Sequence, residues 1–309
     1  MISLIFAGTS DFSVQCLEFL LNLNYQVTMV ITRPDRPHSR GLKQTGSPVR
    51  RFSEEKNLPL LTPETLSPAF LQQIAEQKCD LALVCGYGRI VPSAFFSCFS
   101  KGAVNVHPSL LPRWRGAAPI ERALMAGDKK TGVCLQVMTE QLDAGDIIGQ
   151  REFSIGEEET SLEIYQKALQ ATGELLQNTL KDYVEGRVQP IPQTGEITFA
   201  DKIQKKEGLI HWDGAASRIH NQVRALASGP QAFTFFKGER LKIYRCRRIS
   251  LSSFSSPGTV IESNPEELVV ACGQEGALSL LELQRPGKRK QKAAEFLRGN
   301  SIAPGEVFG

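Results

Sequence analysis

The stretch ISLIFAGTSDFSVQCLEFLLNLNYQVTMVIT, residues 2–32, decides the fold class. Ile2–Ala7 is a short apolar run that stops at Gly8. Within Ser13–Leu23, the apolar residues Val14, Leu17, Leu20 and Leu21 recur at helical spacing. Gln26–Thr32 is rich in β-branched residues and predicts a second strand. Strands separated by helices pair in parallel, because a crossover returns the chain in the same direction.

The alternation continues. Ser47 caps Pro48 at the first position of a helix running to about Lys56, and Leu71–Gln77 reads as helical. Asp80–Cys85, Ala103–Val106 and Gly132–Met138 predict further buried strands, and Ser161–Val184 a long amphipathic helix. The expectation is an α/β domain with a Rossmann-like, mostly parallel sheet covered on both faces. In such sheets ligands gather beyond the carboxyl ends of the strands.

GRVQPIPQTG, residues 186–195, has two prolines and little apolar content and reads as a linker. After it the texture changes. Ala232–Phe236, Leu241–Tyr244, Gly258–Ile261, Leu268–Ala271 and Leu278–Leu281 are short β-rich runs separated by Gly, Pro, Asn and Ser. They predict a small antiparallel β-barrel, preceded by a helix over Asp213–Ala227. The expected division is 1–187 for the α/β domain, 188–206 for the linker and 207–309 for the barrel.

A chain of 309 residues, 41% hydrophobic and 22% charged, is long enough for two globular domains. No apolar run approaches the ~20 residues of a membrane helix, and Met1–Ala7 lacks the basic start of a signal peptide. A cytoplasmic location away from membranes is expected, and a monomer. Seven cysteines without a CxxC pair argue against a disulfide framework and a zinc site, so no metal is expected. Residues 201–309 carry 17 Lys and Arg against 11 Asp and Glu, whereas residues 1–200 carry 19 against 22. The basic rear suggests an anionic partner, with nucleic acid the first candidate and a merely solvated surface the alternative.

Four segments carry candidate chemistry. The turn Gly8-Thr9-Ser10-Asp11-Phe12 has one glycine where a dinucleotide fingerprint has three, which disfavours a dehydrogenase. The connection Arg33-Pro34-Asp35-Arg36-Pro37-His38-Ser39-Arg40-Gly41-Leu42-Lys43 is long and cationic. Arg33, Arg36, Arg40 and Lys43 suit phosphates, or else the loop is simply solvated. In Asn105-Val106-His107-Pro108, an amide and an imidazole two residues apart share one face at a strand end, and Pro108 stops the strand. A lone histidine is more often structural, but this placement favours a site. Leu142-Asp143-Ala144-Gly145-Asp146 reads either as an Asx-type turn or as a source of a carboxylate that approaches His107. Together these residue types suit acyl transfer between nitrogens, and they suit other acyl transfers as well. Asn105 and His107 would donate to the oxygen of a tetrahedral intermediate, and Asp143 would relay the proton.

The combination FAGTSDF (6–12), RPDRPHSRG (33–41), SPVR (47–50), NVHPSLLPRWRGAAPI (105–120), KTGV (130–133), LDAGD (142–146), FADKIQKKEGLIHWD (199–213) and PGTV (257–260) resembles the methionyl-tRNA formyltransferases, a branch of the folate-dependent formyltransferases. The resemblance implies a catalytic trio of Asn105, His107 and Asp143. It implies that Ser109, Leu110, Leu111 and Pro112 line the site of 10-formyltetrahydrofolate, the formyl donor. It implies that the 33–49 loop, with Arg40 prominent, enters the acceptor end of initiator methionyl-tRNA, and that the rear domain is an oligonucleotide-binding (OB-like) barrel. From charge, Lys205, Lys206, Arg245, Arg247, Arg248, Lys288, Arg289 and Lys290 are the candidates for the tRNA backbone. The chain departs from the family pattern at Ser10 and Ser13, where proline and alanine are common, and at Ser228-Gly229-Pro230-Gln231. The competing readings are a formyltransferase for an amino-sugar nucleotide or a purine-pathway amine, and a non-catalytic RNA-binding protein.

Overall fold

The computed structural model describes residues 2–35, 46–250, 255–264, 266–273 and 276–309. Arg36, Arg40 and Lys43 therefore lie outside the described residues. The chain forms two compact units. One comprises Met1–Pro119, Thr131–Phe153 and Tyr165–Ala200, the other Ile120–Lys130, Ser154–Ile164 and Asp201–Gly309.

The strands of the first unit are β1 Ser3–Gly8, β2 Gln26–Ile31, β3 Leu60–Leu61, β4 Leu81–Cys85, β5 Ala103–His107, β6 Arg115–Gly116, β7 Lys130–Val137, β8 Ile147–Ser154 and β9 Phe199–Ala200. Seven of them form one sheet in the order β3-β2-β1-β4-β5-β7-β8, and β6 pairs with β9 separately. β1 is parallel to β2 and β4, and β4 is parallel to β5. β7 runs antiparallel to β5 and sets Gln136 opposite Asn105. β1 and β4 are buried almost throughout, the pattern of strands covered on both faces. The chain leaves β1 to one side and returns on the other at β4, which makes the carboxyl ends of β1 and β4 a switch point.

Local chemistry sets the helix starts. The first helix runs from Asp11 to Asn22, two residues earlier than the apolar spacing predicts, because Ser10 caps it and Ser13 returns the bond. Ser13 also donates to the carbonyl of Cys85 at 2.6 Å, so the two serines tie the turn after β1 to the end of β4. Ser47 caps Pro48–Glu55 as expected. Ser67 caps Pro68–Ala75, a start signal that apolar spacing alone places three residues too late. The segment 161–184 is an α-helix to Leu175, a π-helical turn over Leu176–Leu180 and a last α-turn over Lys181–Val184. β3, β6, β8 and β9 are strands that the sequence does not announce. Three of them have only two residues, and β8 carries exposed polar residues.

The second unit holds β10 Ala232–Phe236, β11 Glu239–Ile249, β12 Val260–Ser263, β13 Leu268–Ala271, β14 Ala277–Gln284 and β15 Gln291–Lys292. They form an antiparallel sheet in the order β10-β11-β14-β13-β12, with β15 on β14. Among the described residues no ladder joins β10 to β12. The helix Ala216–Ala225 is shorter at both ends than the expected Asp213–Ala227. It places Ile219 and Val223 in a core with Trp212, Leu280, Phe296 and Phe308. Burying Trp212 is tolerated because its indole N–H donates to Thr234 at 2.9 Å. All seven cysteines are free. No helix among the described residues is long and apolar enough to cross a membrane.

Candidate active site

β5 ends with Asn105 and His107 on one face, two residues apart at the carboxyl edge of the parallel part of the sheet. The chain then turns back through 108–114, held by the buried Ser109 hydroxyl, which donates to the Arg113 carbonyl at 2.7 Å. The turn returns the Trp114 carbonyl to within 2.9 Å of His107 Nε2. A carbonyl only accepts, so this contact fixes a hydrogen on Nε2 and turns Nδ1 the other way. Nδ1 lies 3.6 Å from Asp143 Oδ2, with both side chains largely buried.

The Asp143 carboxylate accepts three hydrogen bonds, which leaves one acceptor site on Oδ2. Asn105 Nδ2 donates to Oδ1 at 3.2 Å, Gln136 Nε2 to the same oxygen at 2.8 Å and the Gly116 N–H to Oδ2 at 2.9 Å. Three donors around a carboxylate of low exposure compensate its burial and fix its position. Asn105 spends one amide hydrogen on Asp143, and the other can be offered to a ligand. Asp146, the second acid of the turn, is exposed and does not join the cluster.

The backbone is strained in both loops that build the site. Asp143 has φ 48° and Trp114 φ 65°, left-handed values that are costly for a bulky residue such as Trp. Two glycines permit the close approach. A Cβ on Gly145 would lie 1.6 Å from the Val137 carbonyl oxygen, and one on Gly116 (φ 126°) would lie 2.8 Å from that of Ala200. Burial pushes the Cys134 thiol, on the strand opposite His107, up to about 12, against a smaller opposing effect of a backbone hydrogen bond from Leu111. That thiol is no nucleophile at neutral pH.

Asn105, His107 and Asp143 thus converge, although 36 residues separate the imidazole from the carboxylate. Of the four residues expected to face a folate, Ser109, Leu111 and Pro112 are buried and Leu110 is half-buried. Arg33 is half-buried and donates to the Gly88 carbonyl at 3.5 Å. Lys205 and Lys206 are exposed on a short 3-10 turn. Arg245 pairs with Glu163, Arg247 with Glu267 at 3.5 Å and Arg248 with Glu157 at 3.7 Å, so none of the three is a free cation. Sequence reading missed Gln136, whose signal was one polar residue in the otherwise apolar 132–138 run. It also missed the contributions of the Trp114 carbonyl and the Gly116 N–H, which no side-chain pattern announces.

Two family models match the chain: formyl transferase over residues 1–180 and formyl transferase, C-terminal domain, over residues 202–301. A methionyl-tRNA formyltransferase of Bdellovibrio bacteriovorus is 40% identical, with 98% of each chain covered. One of Methylobacillus flagellatus is 40% identical over 99% of each. Among solved structures, an N-formyltransferase from Helicobacter canadensis, in complex with folinic acid and dTDP-3-aminofucose, superposes with a TM-score of 0.67. It is 20% identical and covers 92% of this chain and 100% of that one. HypX from Aquifex aeolicus, in complex with tetrahydrofolic acid, gives 0.65 at 19% identity, covering 96% of this chain and 47% of that one. At such identities these two likenesses concern the fold. Matched by both models and by full-length relatives at 40% identity, the chain belongs to the methionyl-tRNA formyltransferase family.

Proposed function

We propose that the chain moves the formyl group of 10-formyltetrahydrofolate onto the free amino group of methionine carried by initiator tRNA. The products are N-formylmethionyl-tRNA, used to start translation, and tetrahydrofolate. The observation that supports this reading is the joining of Asn105, His107 and Asp143 in one hydrogen-bonded cluster at the carboxyl edge of the sheet. The chemistry asks for three things: donors at the formyl oxygen, a proton acceptor at the incoming amine and a proton for the departing folate nitrogen.

The second amide hydrogen of Asn105 is one donor, and the Nδ1 edge of His107, when it carries a proton, is another. They stabilise the negative oxygen that forms as the amine adds to the formyl carbon, and each such donor contributes about 3–4 kcal/mol. Asp143 takes the amine proton, directly or through water, and returns it to the folate nitrogen as that carbon–nitrogen bond breaks. The proton count closes without a covalent enzyme intermediate. Ser109, Leu110, Leu111 and Pro112 are assigned to the folate side. The 33–49 loop, through Arg33, Arg36, Arg40 and Lys43, is assigned to the tRNA acceptor end. The division into a catalytic domain (1–187), a linker (188–206) and a tRNA-binding domain (207–309) belongs to the same proposal. Lys205 and Lys206, at the end of the linker, are the first candidates for phosphate contacts, because Arg245, Arg247 and Arg248 in the rear domain are already paired.

The test supplies 10-formyltetrahydrofolate with either charged initiator tRNA or a nucleotide-linked amino sugar. Formylmethionine released from the tRNA, and no formylated sugar, is the expected outcome. Formylation of the sugar alone overturns the proposal.

A further inference from the structure

We propose that Gln193 is a positioning residue for this reaction, holding the Asp143 loop against the Trp114–Gly116 loop so that the carboxylate meets Asn105 and His107. The inference rests on the assignment of Asp143 to proton transfer made above.

Gln193 lies in the proline-containing stretch that reads as a linker. Its neighbours Ile191, Pro192, Thr194 and Gly195 are exposed, and Gln193 is the one that turns inward. Its amide is bonded on both sides. Arg115 donates to Oε1 from Nε at 3.1 Å and from Nη2 at 2.6 Å. Nε2 donates to the carbonyls of Asp143 at 2.9 Å and Gly145 at 2.8 Å, with Gln136 Oε1 at 3.5 Å. Arginine can only donate and a carbonyl can only accept, so the partners leave no choice of amide orientation. The same amide therefore touches the loop that carries Asp143 and the residue beside Gly116, whose N–H binds the Asp143 carboxylate.

The surrounding backbone makes this a bracket. Ile191 and Ile147 exchange two backbone hydrogen bonds, at 2.8 and 2.9 Å, just after the Asp143 loop. Thr198 accepts from the N–H groups of Trp114 and Arg115, both at 2.9 Å, and the Ala200 carbonyl accepts from Ala117 at 2.8 Å. The stretch 191–200 thus closes both loops of the site, and Gln193 supplies the side chain that spans them. Asp143 sits at φ 48° and is held there by its surroundings. Releasing the carbonyls of Asp143 and Gly145 frees the loop to relax. A shift of about 1 Å in a reacting group costs on the order of 100-fold in rate.

The experiment is a double-mutant cycle on single-turnover formyl transfer, using Q193L, D143A and the two combined, with circular dichroism and melting as the check on folding. Q193L is one bond shorter and makes none of the five bonds. It is expected to slow transfer by about 10- to 100-fold, with the KM for folate within about threefold of the parent. In the D143A background the same substitution should change the rate by less than about twofold, because its effect passes through Asp143. Equal fold losses in both backgrounds would mean a general structural role and overturn the inference. Normal turnover of Q193L alongside an inactive D143A overturns the inference alone, whereas normal turnover of D143A overturns the assignment on which it rests. If Q193L does not fold, Q193A, which admits water to both carbonyls, carries the same cycle with the same outcomes.

Discussion

Replacing Asp143 by asparagine removes one charge and almost no volume, and its cost is set by hydrogen-bond geometry. An asparagine has one accepting oxygen and one donating nitrogen where the carboxylate has two acceptors. Placed with its nitrogen at the Oδ2 position, it points a donor at the Gly116 N–H from 2.9 Å. Turned over, it points a donor at the Asn105 and Gln136 amides from 3.2 and 2.8 Å. Either way at least one buried donor loses its acceptor, which costs about 1–3 kcal/mol. For a unit of this size the melting temperature should fall by roughly 2–12 °C, at about 2–4 °C per kcal/mol. The rate should suffer more. Loss of a positioned proton acceptor removes about 10²- to 10⁴-fold of turnover, and the fold remains. The assay pairs a thermal melt with transfer of labelled formyl from 10-formyltetrahydrofolate to charged initiator tRNA. A folded D143N protein that turns over within about threefold of the parent would refute the assignment of Asp143 to proton transfer.

The remaining predictions concern charge. Substituting both Lys205 and Lys206 by alanine should raise the KM for tRNA and reduce the slope of log affinity against log salt by about 2, one per phosphate contact. Arg245→Ala, whose guanidinium is bonded to Glu163, should change the KM less, and an equal or larger change in KM would reverse the ranking. Burial holds the His220 imidazole below its ordinary value of 6.5, against the pull of Glu158 and with Arg224 and Arg248 adding to the depression. The unfolded chain then binds more protons near that pH than the folded one. The contribution is full above 6.5 and is lost as pH falls through the depressed value. Urea midpoints at about pH 7.5 and 5.5 should therefore drop more for the parent than for His220→Gln; equal drops would contradict the burial argument.

The range over which each signal acts decided whether the sequence disclosed it. The apolar runs of β1 and β4 declare themselves because a strand covered on both faces is buried almost throughout and favours apolar residues. Asn105 and His107 were legible as a pair because a strand has a period of two. The arrival of Asp143 beside them was legible only as one of two readings of the 142–146 turn. It depends on β7 running antiparallel to β5 and on a glycine at 145 that lets the turn press against Val137. Gln193 was invisible for a related reason. Its partners are two backbone carbonyls and an arginine 78 residues away, and backbone groups leave no mark in composition. The basic count of residues 201–309 was correct as a sum and misleading as a list of free cations. The acids that neutralise Arg245 and Arg248 are Glu163 and Glu157, which precede residue 201 in sequence but belong to the second unit.

In the proposed mechanism one imidazole, one amide and one carboxylate carry out formyl transfer on this sheet edge. The most direct test is the single-turnover rate of formyl transfer from 10-formyltetrahydrofolate to methionyl initiator tRNA by His107→Ala, with both substrates saturating. The His107→Ala protein should fold, still bind folate and transfer at least about 100-fold more slowly. Transfer at close to the parent rate would remove His107 from the mechanism.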